Sequence, residues 1–125
     1  MTQTASTRSS LSQTTGSHMD ECIEHCLLGY RTCTQLISHC LSMGGEHASE
    51  DHVSILATCA QMCQTSATFM MYNSDYHRET CRLCAKLCTT CAEDCERIAD
   101  GDEEMLNCAS VCRACAEHCE RMSAN

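Results

Sequence analysis

The cysteines of this chain recur at helical spacing. Cys81, Cys84, Cys88, Cys91 and Cys95 alternate steps of three and four, and Cys108, Cys112, Cys115 and Cys119 keep the same rhythm. Such steps trace the a/d seam of a helix packed against other helices. Seam positions ordinarily carry leucine, and here they carry thiols. A bundle lined in this way is suited to holding something soft.

The rhythm runs through the whole chain. A first stretch places Cys22, Cys26, Gly29, Cys33, Leu36, Cys40 and Met43 on one stripe, and a second places His52, Leu56, Cys59, Cys63, Ser66 and Met70. The third stretch adds His77 before its five cysteines and Ile98 after them, and the fourth runs from Met105 to Met122. All fifteen cysteines therefore lie on four inward seams. Met and His, which are also metal ligands, occupy several of the seam ends.

Turn chemistry separates the stretches. Ser17 with Asp20 reads as a capping-box start, Gly44-Gly45 as a stop, Ser49 as a cap followed by Glu50 and Asp51. Asn73-Ser74-Asp75 makes the next turn, Gly101 ends the third helix, and Asp102 caps the fourth. The reading is all-α, with helices at about 18–43, 50–72, 75–99 and 103–122. Short loops and the absence of proline make this an antiparallel up-down-up-down four-helix bundle over 18–123, with a cysteine-lined core. Residues 1–17 read as a disordered N-terminal lead.

A chain of 125 residues is one domain by size. Leu, Ile, Val and Phe fall below the roughly 20% under which a charged chain is expected to be disordered. Free Cys behaves as a small buried hydrophobe, however, and with Ala and Met it restores a core. A net charge of −9 with no basic stripe argues against nucleic acid. No segment approaches the roughly 20 apolar residues of a membrane span. Residues 1–15 show neither an apolar h-region nor twin arginines, so a cytoplasmic location is expected, with a removed signal peptide left open.

Several chemistries compete for the thiols. Disulfides fit poorly, because fifteen is odd and seam cysteines on one helix point the same way. Iron–sulfur clusters take cysteines from loops that wrap, which a straight helix cannot do. Zinc would need sites of four thiolates, about three of them, each burying a charge of −2. Cu(I) is monovalent and soft, and thiolates four apart on one helix sit about 5–6 Å apart at Cβ, within reach of one ion. One Cu⁺ per thiolate leaves the core neutral. A purely structural core is the remaining reading, although Ala or Leu would pack as well without oxidation risk.

Cys81-Arg82-Leu83-Cys84 through Cys95, and Cys108-Ala109-Ser110-Val111-Cys112-Arg113-Ala114-Cys115-Ala116-Glu117-His118-Cys119, are similar to the most diagnostic stretch of the copper storage protein (Csp) family. His39-Cys40-Leu41-Ser42-Met43 resembles the His-Cys-x-x-Met of its exported members. The resemblance covers roughly residues 19–123. It implies a homotetramer of bundles, each filled with many Cu(I) ions, and no catalysis. Glu46 and Ala48 depart from the exported pattern, where further methionines are expected.

Topology collects His39, Met43, His47, His52 and Met105 at one end as candidate ligands for admitting copper, since thioether and imidazole bind Cu(I) less tightly than thiolate. The opposite end collects Met70, Met71, His77 and Met122, with His18 and Met19 nearby. His25 and His118 are expected to face sideways. Glu117, Glu120 and Arg121 read as ordinary solvated-face charges, and no nucleophile–base pair or phosphate loop is present. The metal set is thus Cys22, Cys26, Cys33, Cys40, Cys59, Cys63, Cys81, Cys84, Cys88, Cys91, Cys95, Cys108, Cys112, Cys115 and Cys119. The expected partners are copper ions, a copper chaperone or acceptor, and copies of the chain. The alternatives are zinc or another soft metal, or a thiol-based redox or metal-responsive regulator, which would need a few exposed cysteines.

Overall fold

Ser49 and Asp102 set where two of the helices begin. Ser49 Oγ accepts from the His52 backbone N–H at 3.2 Å. Asp102 Oδ1 accepts from Glu104 N–H at 2.9 Å and from Met105 N–H at 3.4 Å. Each satisfies backbone donors that a helix start leaves open. The computed structural model describes residues 10–124, with side chains from residue 16 onward. It contains α1 (Ser10–Met43), a 3₁₀ turn (Gly45–Ala48), α2 (Glu50–Met71), α3 (His77–Ala99) and α4 (Glu103–Ala124). Each helix packs on its sequence neighbours, and α4 closes back onto α1. The result is the expected four-helix bundle, with diagonal helices meeting through side chains such as Cys33 and Cys91, 3.9 Å apart at sulfur.

The boundaries differ from the sequence expectation at several points. α1 begins at Ser10, so residues 10–17 continue the helix instead of belonging to a lead, and Ser17 is helix interior and not a cap. Gly16 costs a helix only about 1 kcal/mol relative to alanine, and no proline stops propagation. The remainder of the expected lead, residues 1–9, lies outside the described residues. α3 starts two residues after Asp75; Ser74 organises that turn, its Oγ accepting from Tyr76 N–H at 3.1 Å and its carbonyl from His77 N–H at 3.2 Å. Its C-cap is Asp100, in the left-handed region at φ 46°, with Gly101 following.

The core is the four seams. All fifteen cysteines are buried, together with Leu36, Leu56, Met70, Ile98, Met105 and Met122. Alanines at flanking positions, such as Ala67, Ala92 and Ala109, let the helices approach closely. Gly29 has a sharper reason for lacking a side chain. A Cβ there would stand 3.0 Å from Cys63 Sγ and 3.9 Å from Cys115 Sγ. The helix tolerates glycine at this point because the facing helices bring sulfur where a methyl group would be.

Candidate metal centre

The seam cysteines converge into overlapping groups along the bundle axis. Cys26, Cys84, Cys115 and Cys119 have their sulfurs within 4.8 Å of one another, as do Cys33, Cys91, Cys108 and Cys112, and Cys63, Cys84, Cys88 and Cys115. Two trios, Cys22–Cys81–Cys119 and Cys59–Cys88–Cys112, meet the same limit. Individual contacts are short: Cys26 to Cys119 is 3.5 Å, Cys33 to Cys112 3.6 Å, and Cys63 to Cys88 3.5 Å. A tetrahedral ion with metal–sulfur bonds of about 2.3 Å separates its sulfurs by about 3.8 Å. The thiols therefore stand near ligand spacing, and none is joined in a disulfide.

The groups share members. Cys84 and Cys115 belong to two quartets, while Cys88, Cys112 and Cys119 each belong to a quartet and a trio. A shared thiol holds two ions only by bridging. The arrangement thus favours an ion that accepts bridging thiolates and few ligands over one that needs four of its own. Protons are unevenly held in the array. Contacts with Cys112 and then Cys115 push the Cys88 thiol up, whereas contacts with Cys108 and Cys33 lower that of Cys112.

Of the candidate entry residues, the structure brings His52 and Met105 onto Cys40. Cys40 Sγ lies 3.4 Å from His52 Nε2 and 3.5 Å from Met105 Sδ, and all three side chains are buried. His52 Nδ1–H donates to Asp94 Oδ2 at 2.6 Å, which leaves the Nε2 lone pair facing Cys40. Burial opposes ionisation of Asp94, but the bonds from His52 and Arg97 outweigh it and hold the carboxyl below its ordinary range. Arg97 spans Asp94 Oδ1 at 2.8 Å and Glu46 Oε2 at 3.1 Å, tying the 3₁₀ turn to α3.

The other candidate mouth residues stand differently. His39 donates from Nε2 to Asp102 at 2.7 Å and contacts Glu104 Oε2 from Nδ1 at 2.8 Å. The bond to Asp102, with both carboxylates nearby, raises its pKa and favours the imidazolium. His47 Nε2 is buried without a hydrogen-bond partner, 3.7 Å from Asp102 Oδ2. Met43 leaves the seam: it is 52% exposed, because the core closes at Cys40 and Met105 one turn earlier. At the far end Met70 Sδ approaches Cys81 Sγ at 3.7 Å and Ser66 Oγ lies 3.4 Å from the same sulfur. Met71 is exposed there, and His77 turns its Nδ1–H onto the Ser74 carbonyl at 2.8 Å instead of facing the core.

Asp94 and Arg97 escaped the sequence reading. They sit on α3 and complete a site begun on α1 and α2, so no spacing within one helix signals them. A buried seam histidine such as His52 was the available clue, since a ligating imidazole calls for an acceptor at its other nitrogen.

Fold and site together define a metal-sequestering, cysteine-filled helical bundle. The chain belongs to the copper storage protein family, whose profile it matches over residues 15–124. It is similar to the Nmul_A1745 protein from Nitrosospira multiformis, at 41% identity and TM-score 0.82, covering 87% of this chain and 97% of that one. It is also similar to the Cu(I)-bound copper storage protein BsCsp3 from Bacillus, at 27% identity and TM-score 0.78, covering 85% and 98%. A cytosolic copper storage protein from Streptomyces lividans, solved with five coppers, matches at 28% identity and TM-score 0.78, covering 87% and 94%. No helix among the described residues is long and apolar enough to cross a membrane.

Proposed function

We propose that this chain stores Cu(I), holding multiple ions as thiolate complexes along the axis of its bundle. The observation that carries the reading is the set of fifteen buried, unpaired thiols in interlocking groups. Each Cu⁺ that displaces one thiol proton leaves the interior neutral, and sharing of thiols between groups suits an ion content with bridging sulfur. A regulator acting through a few exposed, reactive cysteines is disfavoured by the burial of every thiol.

Copper is admitted at the Cys40–His52–Met105 end, where weaker imidazole and thioether donors meet the first thiol. His39 and His47 lie outside this trio within an acidic rim that concentrates cations. The bundle works in the cytosol, as the Streptomyces lividans relative is described. It assembles as a homotetramer, exchanges copper with a chaperone or acceptor protein, and catalyses no reaction. Anaerobic titration with Cu(I) against a chromophoric chelator tests the reading. Storage gives a plateau of many ions per chain, whereas one or two ions per chain would defeat it.

A further inference from the structure

α2 interrupts its own cysteine seam. Its three-and-four rhythm runs Cys59, Cys63, Ser66 and Met70, so a hydroxyl stands where the next thiol is due. Among the described residues, Ser66 and His52 are the two buried polar side chains, and Ser66 is fully enclosed. Ser66 Oγ lies 3.4 Å from Cys81 Sγ, and Cys81 forms a trio with Cys22 and Cys119, all within 4.8 Å at sulfur. Those three are the outermost cysteines of α3, α1 and α4 toward this end of the bundle. The final layer is therefore three thiols and one hydroxyl, at the end away from Cys40, His52 and Met105.

The available donors fix the direction of the bonds. Cys81 has one proton, and its sulfur donates to Met70 Sδ at 3.7 Å, a thioether that can only accept. Ser66 O–H is therefore the donor to Cys81 Sγ. Elsewhere in the bundle such hydroxyls turn back on their own helix: Thr34 donates to the Tyr30 carbonyl and Thr58 to the Ser54 carbonyl, each at 2.6 Å. Ser66 is turned instead to a sulfur on another helix. When Cys81 gives up its proton to a metal, this bond to the thiolate is charge-assisted and strengthens.

We propose that Ser66 sets the metal selectivity of the end layer: it holds Cys81 by a hydrogen bond and withholds a fourth thiolate, leaving a three-sulfur site that suits Cu(I) and is incomplete for zinc. A hydroxyl is a hard oxygen donor and a poor ligand for soft Cu⁺, whereas a structural zinc site takes four protein ligands. The position decides more than one ion. With a fourth thiolate here, this layer, the quartet around Cys63 and the quartet around Cys33 would share no residue, and three tetrahedral sites could exist together. With serine only two can. For copper the proposal rests on the storage reading; for zinc it stands without it.

Native mass spectrometry of the reduced full chain, loaded anaerobically with Zn²⁺ or with Cu(I) in separate samples, tests it in Ser66→Cys and Ser66→Ala. Ser66→Cys should raise the zinc plateau from about two to about three, and the copper plateau by about one ion. Ser66→Ala keeps three thiolates in the layer, so its zinc plateau should stay at about two. Without the hydrogen bond, one of its copper ions should pass to a competing chelator at least about tenfold more readily. Both replacements are close to serine in size, and circular dichroism of the metal-free variants verifies that they fold. A zinc plateau unchanged in Ser66→Cys, a plateau of three already in the unaltered chain, or wild-type copper retention in Ser66→Ala would overturn the proposal. Uptake of only one or two Cu⁺ by the unaltered chain would instead defeat the storage reading, and the zinc comparison would still decide the role of Ser66.

Discussion

His52 and Asp94 are joined at 2.6 Å, between Nδ1 and Oδ2, across the interface of α2 and α3. The carboxylate sets the tautomer, and the free Nε2 faces Cys40 at 3.4 Å. Replacing Asp94 by Ala removes the acceptor and lets the ring turn. Losses of such supporting partners cost metal sites about 10–100-fold in affinity. Asp94→Ala and His52→Ala should therefore both slow Cu(I) uptake from a chelator while leaving the final content nearly unchanged, and Met43→Ala should have little effect. Stopped-flow absorbance of the chelator reads the rates. Wild-type rates in both His52 and Asp94 variants would place the mouth elsewhere, at the Met70 end.

Gly29 offers a test of how tightly the core is built around its cargo. Alanine at this position gains up to about 1 kcal/mol of helix propensity. Its methyl group meets Cys63 Sγ at 3.0 Å, and overpacking typically costs about 1–3 kcal/mol. In the metal-free protein Cys63 can yield slightly, so the melting temperature of Gly29→Ala should stay the same or fall by a few degrees. With copper bound, Sγ is held by its ions and cannot retreat. Capacity should drop by at least one ion, counted by native mass spectrometry, and full capacity would mean that the Cys63 region is looser than its spacing implies.

Most of the fold was legible because one signal repeated. A three-and-four rhythm of cysteines identifies an inward seam whatever the residue that fills it, and Ser49 and Asp102 mark helix starts by local chemistry alone. What could not be read depended on contacts between helices or on propagation. Met43 fits the seam by spacing, yet the core has already closed at Cys40 and Met105. His77 fits too, but its Nδ1–H is taken by the Ser74 carbonyl. α1 extends back to Ser10 because nothing local stops it. Asp94 and Arg97 were invisible because their partners, His52 and Glu46, lie on other elements.

The thiol pKa values give the metal-free protein a pH signature. Burial, followed by neighbouring thiols and carboxylates, pushes Cys40 up to about 11. Contact with Cys108 is the largest influence on Cys95, and with burial it carries that thiol to about 12. The ordinary thiol value is 9.0. A raised folded pKa means that the folded state keeps protons the unfolded chain has lost, so stability falls with rising pH in that interval. The contribution is whole below pH 9 and disappears as pH rises through 11 to 12. Reduced apo-protein should thus melt at lower temperature at about pH 10.5 than at about pH 8, by anaerobic circular dichroism. The copper-loaded form, whose thiols have already released their protons, should show no such slope. Equal slopes in the two forms would mean that alkaline instability arises outside the cysteine core.

Stoichiometry separates copper from zinc by charge and by geometry together. Replacement of one thiol proton by one Cu⁺ conserves charge, so filling should continue to about fifteen ions before unpaired charge is buried. Histidines and methionines at the ends can add a few more. Dividing fifteen thiols into fours suggests about three zinc ions, but the positions of the sulfurs lower the number. Cys26–Cys84–Cys115–Cys119 and Cys33–Cys91–Cys108–Cys112 share no residue, whereas the quartet around Cys63 draws Cys84 and Cys115 from the first. Two complete four-thiolate sites can therefore exist at once. If the Cys63 quartet forms instead, the Cys22–Cys81–Cys119 trio becomes free but stays one thiolate short. Each zinc also leaves a charge of −2 in the interior, which Cu⁺ does not. Native mass spectrometry of separately loaded samples should show a copper plateau near fifteen and a zinc plateau near two. A copper plateau near four, or zinc bound more tightly and in equal number, would remove the charge argument on which storage of Cu(I) rests.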